Sequence, residues 1–163
     1  MEAAPVPNPS EEPAFDVLGE PFLRSVDKEA PRPKLPVGVA DALGTLVVVL
    51  LMEMSESVKW LAVYPLSQWR HLVATEVARG PAPGTDVQAR LRRLARNAAR
   101  AEVSQDGRLS LPRHLAARCG IGRQVTCYPR LDRLEIEAGN TLPEGPDDPK
   151  DLALLSEFMV PLR

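Results

Sequence analysis

Aromatic side chains make up only 4% of this sequence, so its core must be built from Leu, Val and Ala. Cysteine is scarcer still. The two present, Cys119 and Cys127, form no Cys-x-x-Cys pair, which argues against a disulfide-stapled scaffold and for a reduced, cytoplasmic protein. Long apolar runs are missing: the longest, Leu46–Met52, falls far short of the ~20 residues that span a bilayer. Residues 1–14 carry neither a basic start nor an apolar stretch, so they do not read as a signal peptide. No sign of charge dominates. Twenty basic residues face 22 acidic ones, a net of −2, which excludes a uniformly basic coat but not a local basic patch.

The 163 residues suffice for one domain or for two small repeats sharing a core. Hydrophobic residues reach 44%, and 17 prolines, about twice the usual share, imply non-helical tails and sharp stops. The charges are segregated. Between Arg90 and Arg133 lie eleven arginines, three acids (Glu102, Asp106, Asp132) and no lysine, a local charge of +8 that leaves −10 elsewhere. Such arginines can simply keep a helix soluble. Arginine is also the residue whose planar fork of donors suits phosphate and guanine edges.

Four segments follow from pattern. Residues 1–14 hold four prolines and read as a disordered tail. Residues 15–85 form a first unit, with a short strand in Phe15–Val26, a hairpin of Leu46–Met52 with Trp60–Tyr64, and a helix capped by Ser67 that stops at Gly80-Pro81. Residues 86–137 begin with a helix near Asp86, which carries Leu91, Leu94, Ala95 and Ala98 on one stripe and arginine opposite. A turn at Asp106-Gly107, a Pro112-started helix over Arg113–Cys119 stopped by Gly120, and a hairpin of Val125–Tyr128 with Leu134–Glu137 follow. Residues 138–163 are an acidic, Pro-rich tail in which Leu152–Val160 has the makings of a short docking helix.

A shift of 76 positions overlays the two units. Arg32, Leu35, Pro36 and Gly44 meet Arg108, Leu111, Pro112 and Gly120, and Val39 meets Leu115. Both copies read Arg-x-x-Leu-Pro, short helix, glycine stop, hairpin, the hairpins aligning if the first has two extra turn residues. Units this small cannot bury their own core and must pack on each other.

The stretch Val103-Ser-Gln-Asp-Gly-Arg-Leu-Ser-Leu-Pro112 resembles the Asp-x-x-Gly-Arg-x-x-x-Pro signature of the MraZ family of bacterial transcriptional regulators, relatives of AbrB-type DNA-binding domains. Trp60–Trp69 is similar to the family's strand-then-helix segment, Arg90–Arg100 to its arginine-rich linking helix, and Leu131–Ile136 to its last strand. The likeness runs from about Phe15 to Glu137. It departs at Ser104, where the signature has aspartate, and in the first copy, where Pro31 stands for glycine and Lys28 for aspartate. The resemblance implies an α+β fold of two tandem swapped-hairpin repeats around a small β-barrel-like core with linking helices. It also implies a homo-oligomeric ring that binds repeated double-stranded promoter sites upstream of cell-division and cell-wall genes, in the cytoplasm and on the nucleoid.

The resemblance carries over Arg108 as the residue that enters the major groove, and Arg32 as its counterpart. Arg113 and Lys34, at the entries of the two short helices, are candidates for phosphate. Gly107, Pro112 and Pro36 shape the motif. Weak contacts repeated around a ring add up through effective concentration. Neither cofactor nor metal is expected: His114, Cys119 and Cys127 fit no zinc spacing. Asp106 and Asp132 sit at predicted turns with no nucleophile beside them, so neither an enzyme nor a small-molecule substrate is expected. The worn first motif keeps a competitor open, a diverged scaffold or protein-interaction module that has lost specific DNA binding. An AbrB-type antitoxin, using the segment 151–160 to hold a toxin, is the third reading.

Overall fold

The computed structural model describes residues 19–78 and 86–142. The chain order is β1 (Phe22–Ser25), α1 (Val37–Leu43), β2 (Leu46–Glu53), β3 (Lys59–Pro65), α2 (Leu66–Ala78), α3 (Val87–Arg96), β4 (Ala98–Glu102), α4 (Arg113–Cys119), β5 (Gln124–Pro129) and β6 (Leu134–Ala138). Both expected hairpins form. The β-branched run of β2 pairs with β3 from Val47–Pro65 to Glu53–Lys59, and β5 pairs with β6 from Val125–Ala138 to Pro129–Leu134. The 1–14 tail, the helix stop at Gly80-Pro81 and the segment Leu152–Val160 lie outside the described residues.

The α+β class is met, with six strands in one antiparallel sheet ordered β1-β5-β6-β3-β2-β4. The expected barrel-like core is not. The sheet is open, because the chain leaving each edge strand turns away across the core instead of pairing β1 with β4. Past β1, residues 31–35 run antiparallel to residues 107–111 past β4. Leu35 N donates to Gly107 O at 2.8 Å, Leu109 N to Pro33 O at 3.0 Å and Leu111 N to Pro31 O at 3.1 Å. Edge strand β1 lies on β5, and edge strand β4 on β2. Replacing each of β1, β2 and β3 by β4, β5 and β6 reverses the strand order onto itself, and α1 and α4 span positions 76 apart.

Alternation sorts the side chains of the central strands. Val47, Val49 and Leu51 of β2 point to one face with Leu61 and Val63 of β3 and Leu134 and Ile136 of β6. Leu35, Leu109, Leu111 and the inner faces of α1 and α4 (Val39, Leu43, Leu115, Cys119) close over them. Each Leu, Ile or Val so buried contributes about 1.5–3 kcal/mol. On the opposite face Leu50, Ala62 and Tyr64 form a smaller cluster under Trp69, Leu72 and Leu94 of α2 and α3.

Three expectations are corrected. Ala98 is not on the helix stripe: α3 stops at Asn97, whose N–H reaches Leu94 O, and Ala98 opens β4. Alanine favours helix, but here pairing with β2 overrides that preference. Ser67 is not a cap, because β3 runs into α2 without a break and Ser67 falls within the first turn. Pro112 and Pro36 occupy the cap position itself, one residue before the helix. Asp86 does cap α3, its side chain accepting from Gln88 N at 2.9 Å.

Candidate nucleic-acid interface

The antiparallel crossing of residues 31–35 with 107–111 sets side chains by strict alternation. Pro31, Pro33, Leu35, Gly107, Leu109 and Leu111 are buried, whereas Arg32, Lys34 and Arg108 are exposed. Lys34 sits directly opposite Arg108 in the register. Three of the four expected DNA-contacting residues therefore share one outward face of a two-stranded ribbon. Arg113 is exposed in the first turn of α4, which begins where the ribbon ends.

Local chemistry holds Arg108 in place. Gly107 has φ +81°, left-handed territory where side chains are disfavoured. Its N–H donates to Ser104 O at 2.9 Å, and Ser104 N donates to Arg108 O at 2.9 Å. The Ser104 hydroxyl accepts from Arg108 N at 3.1 Å and donates to the Asp106 carboxylate. Ser104 thus staples the turn through its hydroxyl, and Asp106 supplies a carboxylate two residues later. The Ser104 hydroxyl bond outweighs the opposing desolvation and, with a backbone hydrogen bond, Lys34 and Arg108 adding to it, holds the Asp106 carboxyl below its ordinary value.

Arg108 is not buried by its acidic neighbour. Its Nε lies 3.3 Å from Asp106 Oδ2, and the two side chains keep 49% and 60% exposure. Solvent screens an exposed pair of this kind, so Asp106 lies beside the guanidinium without enclosing it. Lys34 is more engaged than the sequence suggested, because its Nζ donates to the Asp106 carbonyl and braces the turn. Arg32 lies on extended chain between two buried prolines, with no glycine turn before it. Since Pro33 has no N–H, the bond that would mirror Leu109 N to Pro33 O cannot form.

Sequence reasoning missed Arg24, whose Nε donates to Lys34 O at 2.6 Å and whose guanidinium lies 4.6 Å from the Phe22 ring centre. It also missed Ser104 and Asp106 as the turn's staple, a role that serine and aspartate at this spacing before a glycine do announce. The arginine cluster itself divides. Arg90, Arg118, Arg130 and Arg133 face Glu76, Glu53, Glu135 and the Asp132–Glu135 pair, whereas Arg92, Arg96, Arg113 and Arg123 are solvent-facing. Cys119 and Cys127 are buried free thiols, and His114 is exposed. Among the described residues, no helix is long and apolar enough to cross a membrane. A scan against protein-family models finds no match, and no curated protein matches the chain.

Proposed function

We propose that this chain is a sequence-specific DNA-binding transcriptional regulator of the MraZ type, acting on the nucleoid as a ring of copies at repeated promoter sites of cell-division and cell-wall genes. One observation carries the reading: the ribbon that presents Arg32, Lys34 and Arg108 on a single exposed face beside Arg113. A major groove admits a two-stranded ribbon of this width. Arg108, held at a glycine turn, reads a guanine edge, and Arg113 takes phosphate. Lys34 adds positive charge and commits one of its three donors to the turn. The reciprocal placement of β1 on β5 and β4 on β2 supports two swapped-hairpin repeats, with the 31–35 and 107–111 crossing at their pseudo-dyad.

The second reading is the diverged scaffold, favoured by Arg32 on a proline-locked segment and by the Lys34 amine tied to a carbonyl. Selection of bound duplexes from a random pool at fixed salt separates the two. The regulator is expected to enrich a repeated site, and Arg108→Ala to weaken it by roughly 5–150-fold per engaged copy, the equivalent of ~1–3 kcal/mol. Exposed Arg92→Ala serves as the charge-matched control. No preference over random duplex, or equal loss in both variants, favours the scaffold. A monomer in light scattering at micromolar concentration would contradict the ring.

A further inference from the structure

Among the described residues, the second face of the sheet is covered less fully than the first. Helix α2 has no buried side chain among the described residues, and Leu91 and Leu94 of α3 are half-buried. Between the two helices and β2 runs a groove of about 570 Å³ whose apolar lining includes Leu50, Met52, Leu72 and Leu94 and whose charged lining is Glu53, Glu76, Arg90 and Arg93. Of the two arginines, Arg93 is exposed whereas Arg90 is already engaged. Its Nη1 lies 3.7 Å from Glu76, yet Nε and Nη2 are buried with no hydrogen-bond partner among the described residues. Nε and Nη2 have no surface open to the groove, so an occupant meets instead its apolar walls and the exposed Arg93, which suits apolar side chains accompanied by a carboxylate.

We propose that the groove between α2 and α3 is the docking site of this chain's own C-terminal segment 151–160. Its sequence, Asp151-Leu-Ala-Leu-Leu-Ser-Glu-Phe-Met-Val160, places Leu152, Leu155 and Met159 at helical spacing i, i+3 and i+7, flanked by Asp151 and Glu157. Residues 143–163 carry five acids against two bases, an excess that suits the exposed Arg93, since Arg90 already faces Glu76 and Arg118 meets Glu53. Reach is ample. Thr141 is anchored on β5, where its carbonyl accepts from the Tyr128 hydroxyl at 2.6 Å. From β5 to β2 is three strand spacings, about 15 Å, and the ten residues from Leu142 to Leu152 extend up to ~33 Å. A tether this short gives an effective concentration near millimolar, which favours docking within one chain. This inference does not depend on DNA binding.

Hydrogen exchange read by mass spectrometry on the full chain tests it. Leu152→Asp with Leu155→Asp is expected to speed exchange in α2 and α3 by about tenfold, leaving β5 and β6 unchanged. Unchanged exchange in the two helices overturns the proposal. In the wild type their protection is expected to be constant across about two decades of micromolar protein concentration, as an intramolecular contact requires. Protection that rises with concentration assigns the groove to a second copy and overturns it as well. Arg93→Glu is expected to loosen the same helices, and combining it with Asp151→Lys and Glu157→Lys to restore them. Failure of that rescue counts against docking, since an Arg93 that serves only its own helix would not respond to the tail.

Discussion

Replacing Gly107 by alanine tests the turn on which the proposed interface depends. The residue sits at φ +81°, where an L side chain costs about 1–2 kcal/mol. A new Cβ would also meet Leu35 O at 3.3 Å. Leu35 cannot withdraw freely, because its N–H donates to Gly107 O at 2.8 Å and is one of three backbone bonds joining the crossing segments. Weakening that bond adds about 1 kcal/mol. The expected loss is therefore roughly 2–3 kcal/mol, equivalent to a Tm decrease of about 5–10 °C at some 2–4 °C per kcal/mol for a chain of this size. Two further glycines calibrate the number. Gly120 has φ +78° with nothing within 4 Å of a Cβ, so Gly120→Ala isolates the left-handed penalty, about 1–2 kcal/mol. Gly38, inside α1 with open space around it, should gain roughly 0.5–1 kcal/mol as alanine. Urea unfolding of all three at one ionic strength orders them. If Gly107→Ala melts at or above Gly120→Ala, or within about 0.5 kcal/mol of wild type, the crossing does not constrain the turn and the argument for a rigidly held Arg108 fails.

Other expectations follow from the same geometry. Burial pushes the Cys119 thiol up to about 11 and that of Cys127 up to about 12, so at pH 8 both should resist thiol reagents until the chain is unfolded, whereas rapid labelling of the native protein would place them nearer the surface. Asp106 is held below its ordinary value, chiefly by the Ser104 hydroxyl. Its contribution to the turn is present above the unfolded-chain pKa and fades as pH falls through the lowered folded value; Ser104→Ala should raise the Asp106 midpoint in an NMR titration, and an unmoved midpoint would refute the staple. Thr126 is fully buried, donating to Gly139 O at 2.7 Å and accepting from Thr141 N at 2.9 Å. Thr126→Val should cost roughly 1–3 kcal/mol in urea unfolding, and an indifferent variant would mean that neither group is held there.

Legibility varied with how local each signal was. The β2–β3 and β5–β6 hairpins and the α1 and α4 helices were readable because proline starts, glycine stops and β-branched runs act over a few residues. Helix α3 was read two residues too long, since Ala98–Glu102 has helical composition and becomes a strand only by lying on β2. The site was half legible. Arg108 and its glycine stood out, but the sequence treated Lys34 as a free cation and the arginines between 90 and 133 as one patch, without showing which carboxylates would meet them.

Pattern alone announced the two hairpins, the offset of 76 between the short helices and the bend at Gly107, because these depend on side-chain type and neighbouring dihedrals. The fold settled the rest. It left the sheet open, set residues 31–35 against 107–111, and engaged Arg118 with Glu53 while leaving Arg108 exposed. Those outcomes join residues far apart in the chain, and hydrogen-bond register and charge pairing between such residues exist only once the backbone has brought them together.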